Sequence, residues 1–415
     1  MPRIEKLAID GGRPAVPRGA GPRRLIGRSE RKAVLDLMDR SISDGAAFDR
    51  YGGVEVDAYE KEFATWLGVK HATAVSSGTA AIHAALAALH LEPGSEVVCS
   101  PITDPGAVAP VLFSQCIPVF ADASPDSFNA TPESVEKLIT RRTGAIVIGH
   151  ISGEPCRIAE IASIARRRRV PLIEDCSQSH GATWRGRKVG TFGDLAAFSL
   201  MSGKHHTSGG QGGMVLTNDE DLYWDAKRFA DRGKPFHSSE KDILFLGLNY
   251  RMTELEAAIG RVQLRRLPRI VAARQGLAAR FARHIARTMA FSMGRLPAGA
   301  KSVYWFLRVR VHLDRLRVDK EQVCAALARE GVGNKATYTA PFPTRKWFVE
   351  RRTFGTSGLP WTLPGVRRID YANSCPGAAE ALDRHMIVSF HENMTPAVID
   401  GMGRAFLKID RAYAG

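Results

Sequence analysis

The chain has 415 residues, of which 44% are hydrophobic and 24% are charged, and its formal net charge at pH 7 is +15. This composition is typical of a globular protein with a large core and excludes a disordered or fibrous chain. No run of about 20 apolar residues could span a bilayer, and Met1–Lys6 lacks the apolar segment of a signal peptide. We therefore expect a cytoplasmic protein with no membrane partner.

Cysteine usage and charge distribution narrow the possible partners. The six cysteines are scattered without a CxxC pair, so we expect reduced thiols, with neither disulfides nor a zinc site. The positive charge could attract nucleic acid, but the basic residues are spread along the chain. The one compact run, Arg166–Arg169, is expected at the end of a helix, where cations favour the helix dipole. We therefore expect no nucleic acid partner, and an anionic small molecule remains compatible with the charge.

Short apolar runs alternate with helical patterns from about residue 55 to residue 220. This order predicts an α/β fold with a mostly parallel central sheet flanked by helices. The predicted strands are 72–75, 96–99, 117–121, 145–149, 171–174, 195–200 and 213–217, and the predicted helices are 55–67, 80–89, 132–140 and 158–168. Ligands of such folds bind beyond the carboxyl ends of the strands.

The rest of the chain follows a different pattern. A long helix is predicted over residues 253–289, with Pro268 as a kink or break within it. A smaller α+β domain is predicted after it, with a strand at 304–311 and helices at 320–330 and 396–409. The predicted domains are residues 1–291, an N-terminal segment and a large ligand-binding domain, and residues 292–415. Residues 341–373, rich in proline, glycine and aromatic residues, are predicted to form a long loop beside the site.

A small polar turn leads from a predicted strand into an alanine-rich helix at residues 75–83. Such a turn can cradle a phosphate, because Gly78 lets the backbone approach closely and Thr79 can donate its hydroxyl. The free amides at the helix start add a favourable dipole. Because Ser77-Gly78-Thr79 is also an ordinary helix cap, the motif alone leaves both readings open.

A second motif places a carboxylate at the end of a predicted buried strand. Residues 172–175 read Leu-Ile-Glu-Asp, and a carboxylate at this place would keep a pyridine nitrogen protonated, which makes the ring an electron sink. Alternatively, Asp175 only caps the following turn.

A third motif holds a lysine between an apolar strand and a glycine-rich turn. Desolvation would free the amine of Lys204 to form a Schiff base, whereas a surface position would leave it a solvated charge. His205 and His206 follow directly, but adjacent side chains of a regular helix or strand do not face the same way. With no acidic ligand close by in the sequence, we expect no metal site.

In their order and spacing these three motifs resemble the DegT/DnrJ/StrS family of pyridoxal phosphate-dependent sugar aminotransferases. This is a fold-type I group of the aspartate aminotransferase superfamily. The resemblance extends over about nine-tenths of the chain and includes residues 52–56, 59–63, 68–71, 118–122, 186–190, 192–194 and 249–255.

The resemblance implies roles for individual residues. Lys204 would bind pyridoxal 5'-phosphate as a Schiff base and then act as the base, Asp175 would pair with the pyridinium nitrogen, and Gln178 would lie near the ring hydroxyl. The cofactor phosphate would be held by Ser77, Gly78, Thr79 and Ser199. Asn249 would reach the phosphate in the neighbouring subunit, which implies a homodimer or a larger assembly with shared active sites.

Two residues depart from the family pattern. Gln211, where a glutamate is more frequent, is a mild departure, and residue 104 is the plainer one. Where the family usually has an aromatic residue stacked on the cofactor ring, this chain has Asp104. Another side chain could cover the ring, or Asp104 could contact a polar part of the substrate, or the chemistry could differ from transamination.

The resemblance implies transfer of an amino group from glutamate or glutamine to a nucleotide-linked keto-sugar or to a keto-cyclitol (inosose). Such reactions belong to amino-sugar, aminocyclitol or antibiotic biosynthesis. The positive charge favours the first acceptor, whereas the opening Leu7–Pro14 resembles relatives that aminate inososes. Candidate substrate contacts are His150, Lys335 and Tyr338, each of which could instead pack or solvate a loop.

Two other functions remain compatible with the fold. One is a pyridoxal phosphate-dependent sugar dehydratase, in which a histidine replaces the cofactor lysine. The spacing from Ser199 to Lys204 favours the lysine and thus the aminotransferase. The other is a non-catalytic regulatory protein that binds the cofactor or a sugar, which the missing aromatic residue keeps open.

Overall fold

The computed structural model describes residues 5–45, 48 and 52–415. Residues 1–4 lie outside the described residues. They begin the predicted first domain and belong to the Met1–Lys6 segment, for which no signal peptide is predicted. The helices are α1 (Arg28–Asp44), α2 (Val54–Leu67), α3 (Gly78–Ala87), α4 (Pro105–Phe113), α5 (Pro132–Leu138), α6 (Ile158–Arg168), α7 (Glu220–Phe229), α8 (Glu254–Ile285), α9 (Lys320–Arg329), α10 (Lys346–Val349), α11 (Pro376–Arg384) and α12 (Pro396–Tyr413). Across these described residues, none of the helices combines the length and apolarity needed to cross a membrane.

The strands fall into three sheets. They are β1 (His71–Val75), β2 (Glu96–Cys99), β3 (Ile117–Phe120), β4 (Thr143–Gly149), β5 (Leu172–Asp175), β6 (Thr183–Trp184), β7 (Arg187–Lys188), β8 (Leu195–Ser199), β9 (Gly213–Thr217), β10 (Phe291–Met293), β11 (Ala300–Lys301), β12 (Leu307–Val311), β13 (Asn334–Lys335) and β14 (His385–Val388). The seven-stranded sheet has the order β1-β9-β8-β5-β4-β2-β3, and a four-stranded sheet has the order β10-β12-β14-β13. Strands β6, β7 and β11 form a small third sheet.

The seven-stranded sheet is parallel except at β9, which runs antiparallel to both β1 and β8. The carboxyl ends of β1, β5 and β8 therefore meet at one edge, with Val75 and Ser199 both paired to Gly213. Each of these strands is almost wholly buried, as expected of a sheet covered by helices on both faces. The predicted fold class, a mostly parallel α/β sheet with a smaller α+β unit, is confirmed.

Alternate residues of the strands enter different cores. Ile173 and Ala197 pack with α3 and α4 on one face of the sheet, whereas Leu172 and Ala196 pack with α2 and α6 on the other. The period of two along a strand therefore sends Asp175 to the first face and its neighbour Glu174 to the second.

A third core joins the four-stranded sheet to helices α9 and α12. This core also contains Leu7 and Val16 from the N-terminal segment and Phe281 and Ile285 from the end of α8. The division at residue 292 stays a prediction, and the packing that surrounds it involves residues from both sides.

Pro268 does not break the long helix, and a kink at this residue stays a prediction. Helix α8 continues through Pro268 from Glu254 to Ile285. Proline removes one backbone hydrogen bond, but Leu264, Leu267 and Ile270 are buried around it. Tertiary packing therefore keeps the helix continuous. The strand predicted from residue 304 starts at Leu307, because the preceding residues form hydrogen bonds to Ser152 and Gly153, beyond the end of β4, and Trp305 lines the cavity.

Candidate active site

A cavity of about 260 Å³ opens at the edge where the carboxyl ends of β1, β5 and β8 meet. This volume is close to the lower limit for sites that bind small molecules, which is about 300 Å³. The lining includes these predicted site residues: Ser77, Gly78, Thr79, Asp104, Asp175, Gln178, Ser199, Lys204 and Tyr338. Three motifs that are far apart in the sequence therefore share one cavity.

The turn before α3 forms one wall. Ser77 caps α3, with its Oγ accepting from the Ala80 N–H at 3.0 Å. The first amides of a helix have no intrahelical acceptor and can donate to an anion. A Cβ built on Gly78 would lie 2.5 Å from the Cβ of Ser199, so only glycine lets this turn lie so close to β8. The wall thus fits a phosphate group.

Asp175 forms the opposite wall at the end of β5. It is 8% exposed, and its Oδ1 accepts from the Ser177 N–H at 3.0 Å. The remaining acceptor capacity of the carboxylate is available to the cavity that it lines. A buried carboxylate in this position can pair with a protonated ring nitrogen.

Glu174 faces away from the cavity and is a structural residue. Its oxygens accept from the backbone N–H groups of Gly190, Phe192 and Gly193 at 2.6–2.8 Å. The ring of His150 lies on the same carboxylate, with Nε2 3.1 Å from Oε2. Both side chains are completely buried. Burial lowers the pKa of His150, but Glu174 and two neighbouring thiols outweigh it and raise that pKa well above its usual value.

Lys204 lies deep in the cavity. It is 7% exposed, and its Nζ lies 4.2 Å from the centroid of the Trp305 ring. Burial lowers the pKa of this lysine, while the carboxylates of Asp175 and Asp104 oppose the shift. Desolvation thus increases the fraction of neutral amine, which is the form that attacks a carbonyl.

The two histidines after Lys204 anchor its loop. The Nε2 of His205 lies 3.0 Å from the carbonyl oxygen of Val303. The Nε2 of His206 lies 2.8 Å from the hydroxyl of Tyr59 and 3.1 Å from the carbonyl of Gly260. Burial lowers the pKa of His205 well below its usual value and that of His206 to about 4. Both rings are therefore neutral at pH 7. His205 holds the lysine loop against Val303, and His206 holds it against α2 and α8.

Gln178 and Tyr338 form a polar pair beside Asp175. The Gln178 Oε1 accepts from the Ser152 N–H at 2.8 Å, and its Nε2 donates to the Tyr338 hydroxyl at 3.0 Å. Burial raises the pKa of Tyr338 to about 12, so its phenol stays protonated at neutral pH. The pair presents a fixed set of hydrogen-bonding groups to the cavity.

Comparison with known proteins identifies the family. A sequence model of the DegT/DnrJ/EryC1/StrS aminotransferase family matches residues 38–369. The chain belongs to this family. This confirms the predicted family and the predicted enzyme class, an aminotransferase.

Relatives and solved structures agree with this assignment. GDP-perosamine synthase of Caulobacter vibrioides is 36% identical over 318 residues, which are 76% of this chain and 82% of that protein. EpsN of Bacillus subtilis, named as a pyridoxal phosphate-dependent aminotransferase, is 34% identical over 237 residues, 55% of this chain and 60% of that one. An aminotransferase structure from Psychrobacter cryohalolentis superimposes with a TM-score of 0.79 at 29% identity, covering 93% of this chain and 97% of that one. The family is pyridoxal phosphate-dependent.

Two predicted substrate contacts of this DegT/DnrJ/EryC1/StrS family member do not reach the cavity. His150 is buried against Glu174 on the other face of the sheet, so its prediction is corrected. Lys335 is exposed on β13, whose register pairs it with Ile387, and it does not line the cavity. Of the three candidates, only Tyr338 is a wall of the cavity.

Asp104 and Asn249 also occupy distinctive positions in this family member. Asp104 is exposed at the cavity mouth and caps α4, its Oδ1 accepting from the Gly106 N–H at 2.9 Å. Asn249 is exposed and lies outside the cavity lining.

The sequence motifs did not identify Trp305, which lines the cavity and donates from Nε1 to the Gly203 carbonyl at 3.0 Å.

Proposed function

We propose that this aminotransferase transfers an amino group from glutamate or glutamine to a nucleotide-linked keto-sugar, using pyridoxal 5'-phosphate held by Lys204. The observation that carries the proposal is the buried Lys204 amine in one cavity with Asp175 and the turn that precedes α3. The bound cofactor would supply an electron sink for the bond broken at the donor's α-carbon. Side chains of the cavity would bind and orient the cofactor and transfer the proton.

Each wall of the cavity would have its own role in holding the cofactor or in moving a proton. The α3 turn, with Ser77, Gly78 and Thr79, and the Ser199 hydroxyl would hold the phosphate. Asp175 would keep the ring nitrogen protonated, and Gln178 would hydrogen-bond the ring hydroxyl. The Nζ of Lys204, once displaced by the donor, would carry a proton away from the donor's α-carbon. Burial lowers the pKa of Lys204 and so favours the neutral amine that this proton transfer needs.

Trp305 would provide the aromatic surface for which Asp104 is unsuited. Its indole faces the Lys204 amine at 4.2 Å and lies edge-on to Tyr338, with ring centroids 6.3 Å apart. An indole in this place would cover a flat ring and shield the amine from water. Asp104, as a helix cap at the mouth, would face the polar part of the acceptor.

The inosose acceptor loses its main support. The segment that resembles inosose aminotransferases packs in the third core, where the Ala8 and Ala15 N–H groups each donate to Glu330 at 2.8 Å. Leu7 and Val16 are buried there. The sequence of this segment therefore reflects packing of the smaller unit. The similarity to GDP-perosamine synthase favours the nucleotide-linked acceptor.

Measuring kcat/KM for a nucleotide-diphosphate 4-keto-hexose and for an inosose, with glutamate as donor, tests the acceptor. We expect the nucleotide-linked sugar to be preferred by at least about 100-fold, since a site built for one polar group discriminates strongly against a substrate lacking it. A preference for the inosose would contradict the proposal. Absence of transfer to either would contradict both acceptor classes.

The pH dependence of cofactor binding tests the environment of Lys204. Because burial lowers its pKa below the usual 10.5, the rate of covalent binding of pyridoxal phosphate to apo-enzyme should rise with pH and level off below that value. Asp104→Asn removes a carboxylate that favours the charged amine, so its midpoint should lie at lower pH. The matched control Asp314→Asn, on an exposed surface residue, should keep the wild-type midpoint. An unchanged or higher midpoint in Asp104→Asn would contradict this account.

A homodimer is part of the proposal. The exposed side of α1 carries Leu35, Met38 and Ile42 at helical spacing, and exposed apolar rows of this kind mark protein interfaces. Leu246 is 90% exposed in the segment that leads to Asn249. An isologous dimer that covers these residues would bring Asn249 toward the partner's cavity.

Substitution in this apolar surface tests the dimer. We expect Ile42→Asp combined with Leu246→Asp to weaken the dimer at least about 10-fold, because two charges would be buried in an apolar contact. Sedimentation analysis across a concentration series measures the dissociation constant of the dimer. Met289→Asp, at an exposed apolar residue beyond the end of α8, is the control and should leave it unchanged. An unaltered constant in the double variant would refute this interface.

A further inference from the structure

A second cavity lies between the carboxyl-terminal part of α8 and helix α12. Its volume is about 760 Å³, and it shares no lining residue with the active-site cavity. Six of its ten lining residues are arginine or lysine. We call this cavity the α8–α12 groove.

Helical register produces the groove. Arg280, Arg283 and Arg287 follow one another at helical spacing along the end of α8 and the residues beyond it, and the basic residues of α12 face them. A Cβ built on Gly403 would lie 2.3 Å from the His284 ring, so glycine lets the two helices approach most closely here. Beside this contact the long cationic side chains diverge and leave a cavity between them.

Only part of this charge is neutralised within the protein. Asp400 accepts two hydrogen bonds from Arg280, both at 2.6 Å, and lies 2.9 Å from the Nε2 of His284. Lys408 is paired with the buried Glu330 at 2.8 Å and lies 3.9 Å from Glu5, the second carboxylate among the lining residues.

Four arginines of the groove have no carboxylate partner in the part of the chain that the structure describes: Arg283, Arg287, Arg404 and Arg411. By contrast, two exposed arginines at the end of α6, Arg167 and Arg168, both lie near Glu136. Four like charges around one concave surface repel one another unless an anion lies between them.

We propose that the α8–α12 groove binds a compact anion carrying two or more phosphate groups. A planar guanidinium group donates two parallel hydrogen bonds to the oxygens of one phosphate. The four arginines without a carboxylate partner lie on both sides of the groove, so together they can bind a chain of phosphates. The volume lies in the range of small-molecule sites. The shared chemistry is a phosphate chain, either free as inorganic polyphosphate or carried by a nucleotide. This site is independent of the catalytic proposal.

Titration calorimetry with inorganic tripolyphosphate tests the site on the cofactor-loaded enzyme, in which the α3 turn is already occupied. We expect saturable binding of one tripolyphosphate per chain at about 0.15 M salt, weakening as salt rises. Arg404→Ala with Arg411→Ala should weaken it at least about 10-fold, since each removes a charge-assisted hydrogen bond. Arg283→Ala with Arg287→Ala, on the α8 side of the groove, should weaken binding to the same extent.

The matched control is Arg166→Ala with Arg329→Ala, two exposed arginines in the last turns of α6 and α9. It removes the same charge and should keep the wild-type affinity. ADP and GDP should compete with tripolyphosphate, and their order of affinity then identifies the source of the phosphate chain. The proposal is overturned if tripolyphosphate does not saturate, if the control loses as much affinity as the groove variants, or if only duplex DNA binds.

Discussion

Replacing Lys204 with alanine is expected to reduce turnover at least about 10⁴-fold, because one substitution removes both the covalent anchor and the base. The visible absorbance of the lysine-bound cofactor should disappear as well. The fold should survive, since the substitution removes a desolvated amine whose charged form burial disfavours. Amino-group transfer and the absorption spectrum measure the two effects, and circular dichroism checks the fold.

Two control variants separate chemistry from charge and folding. Lys204→Arg keeps a cation of similar length in the cavity but cannot form a Schiff base, so it should be as inactive as the alanine variant. Lys301→Ala removes an exposed lysine of β11 and should leave turnover unchanged. Activity retained in Lys204→Arg would show that the amine is needed only for its charge, and the proposed function would be lost.

Asp175→Asn is expected to lower kcat/KM by roughly 10²- to 10³-fold, the range seen when a preorganised electrostatic group is removed from an active site. The asparagine oxygen can still accept from the Ser177 N–H, so local structure should be kept. What is lost is the negative charge that would keep the ring nitrogen protonated. Steady-state kinetics measure the loss of kcat/KM, and the absorbance of the bound cofactor reports the protonation of its ring nitrogen.

The neighbouring residue provides a matched control. Glu174→Gln makes the same chemical change one residue away, on the opposite face of β5. Its carboxylate holds three backbone N–H groups and His150, so we expect a loss of about 1–3 kcal/mol in the free energy of unfolding. The kcat of the folded fraction should change little. An equal loss of kcat/KM in both variants would show that Asp175 acts through structure.

The layered architecture could be predicted from the sequence because burial on both faces leaves continuous apolar strands between helices. The continuity of α8 could not. Proline has a strong local preference against helix interiors, and the packing that overrides it at Pro268 comes from residues distant in sequence. The short strand β14 and helix α11 were missed for the same reason, since their partners lie far away along the chain.

The residues that share the active-site cavity could mostly be predicted from their motifs. Strand ends bring Ser77, Asp175 and Ser199 together, and the lysine follows one of those strands. His150 was misplaced because its position after β4 shows that it lies near the site but does not show which face of the sheet it occupies. Its pairing with Glu174 depends on the period of two in the next strand.

Trp305 was missed because an aromatic residue before a strand usually packs in a core. Its backbone N–H instead donates to the Ser152 carbonyl at 3.0 Å, and Tyr304 before it has a φ of 49°. This turn directs the indole into the cavity. No pattern in the sequence specifies such a turn, although the absence of the family's stacking aromatic at Asp104 indicates that a substitute is needed.

Reduction of the cofactor-loaded enzyme with borohydride, followed by mass spectrometry of its peptides, tests the central claim most directly. Reduction converts a Schiff base into a stable secondary amine, so the cofactor's mass should remain on the peptide that contains Lys204 and on no other. Cofactor mass on a different lysine, or none on any peptide of a catalytically active preparation, would contradict the assignment of this amine.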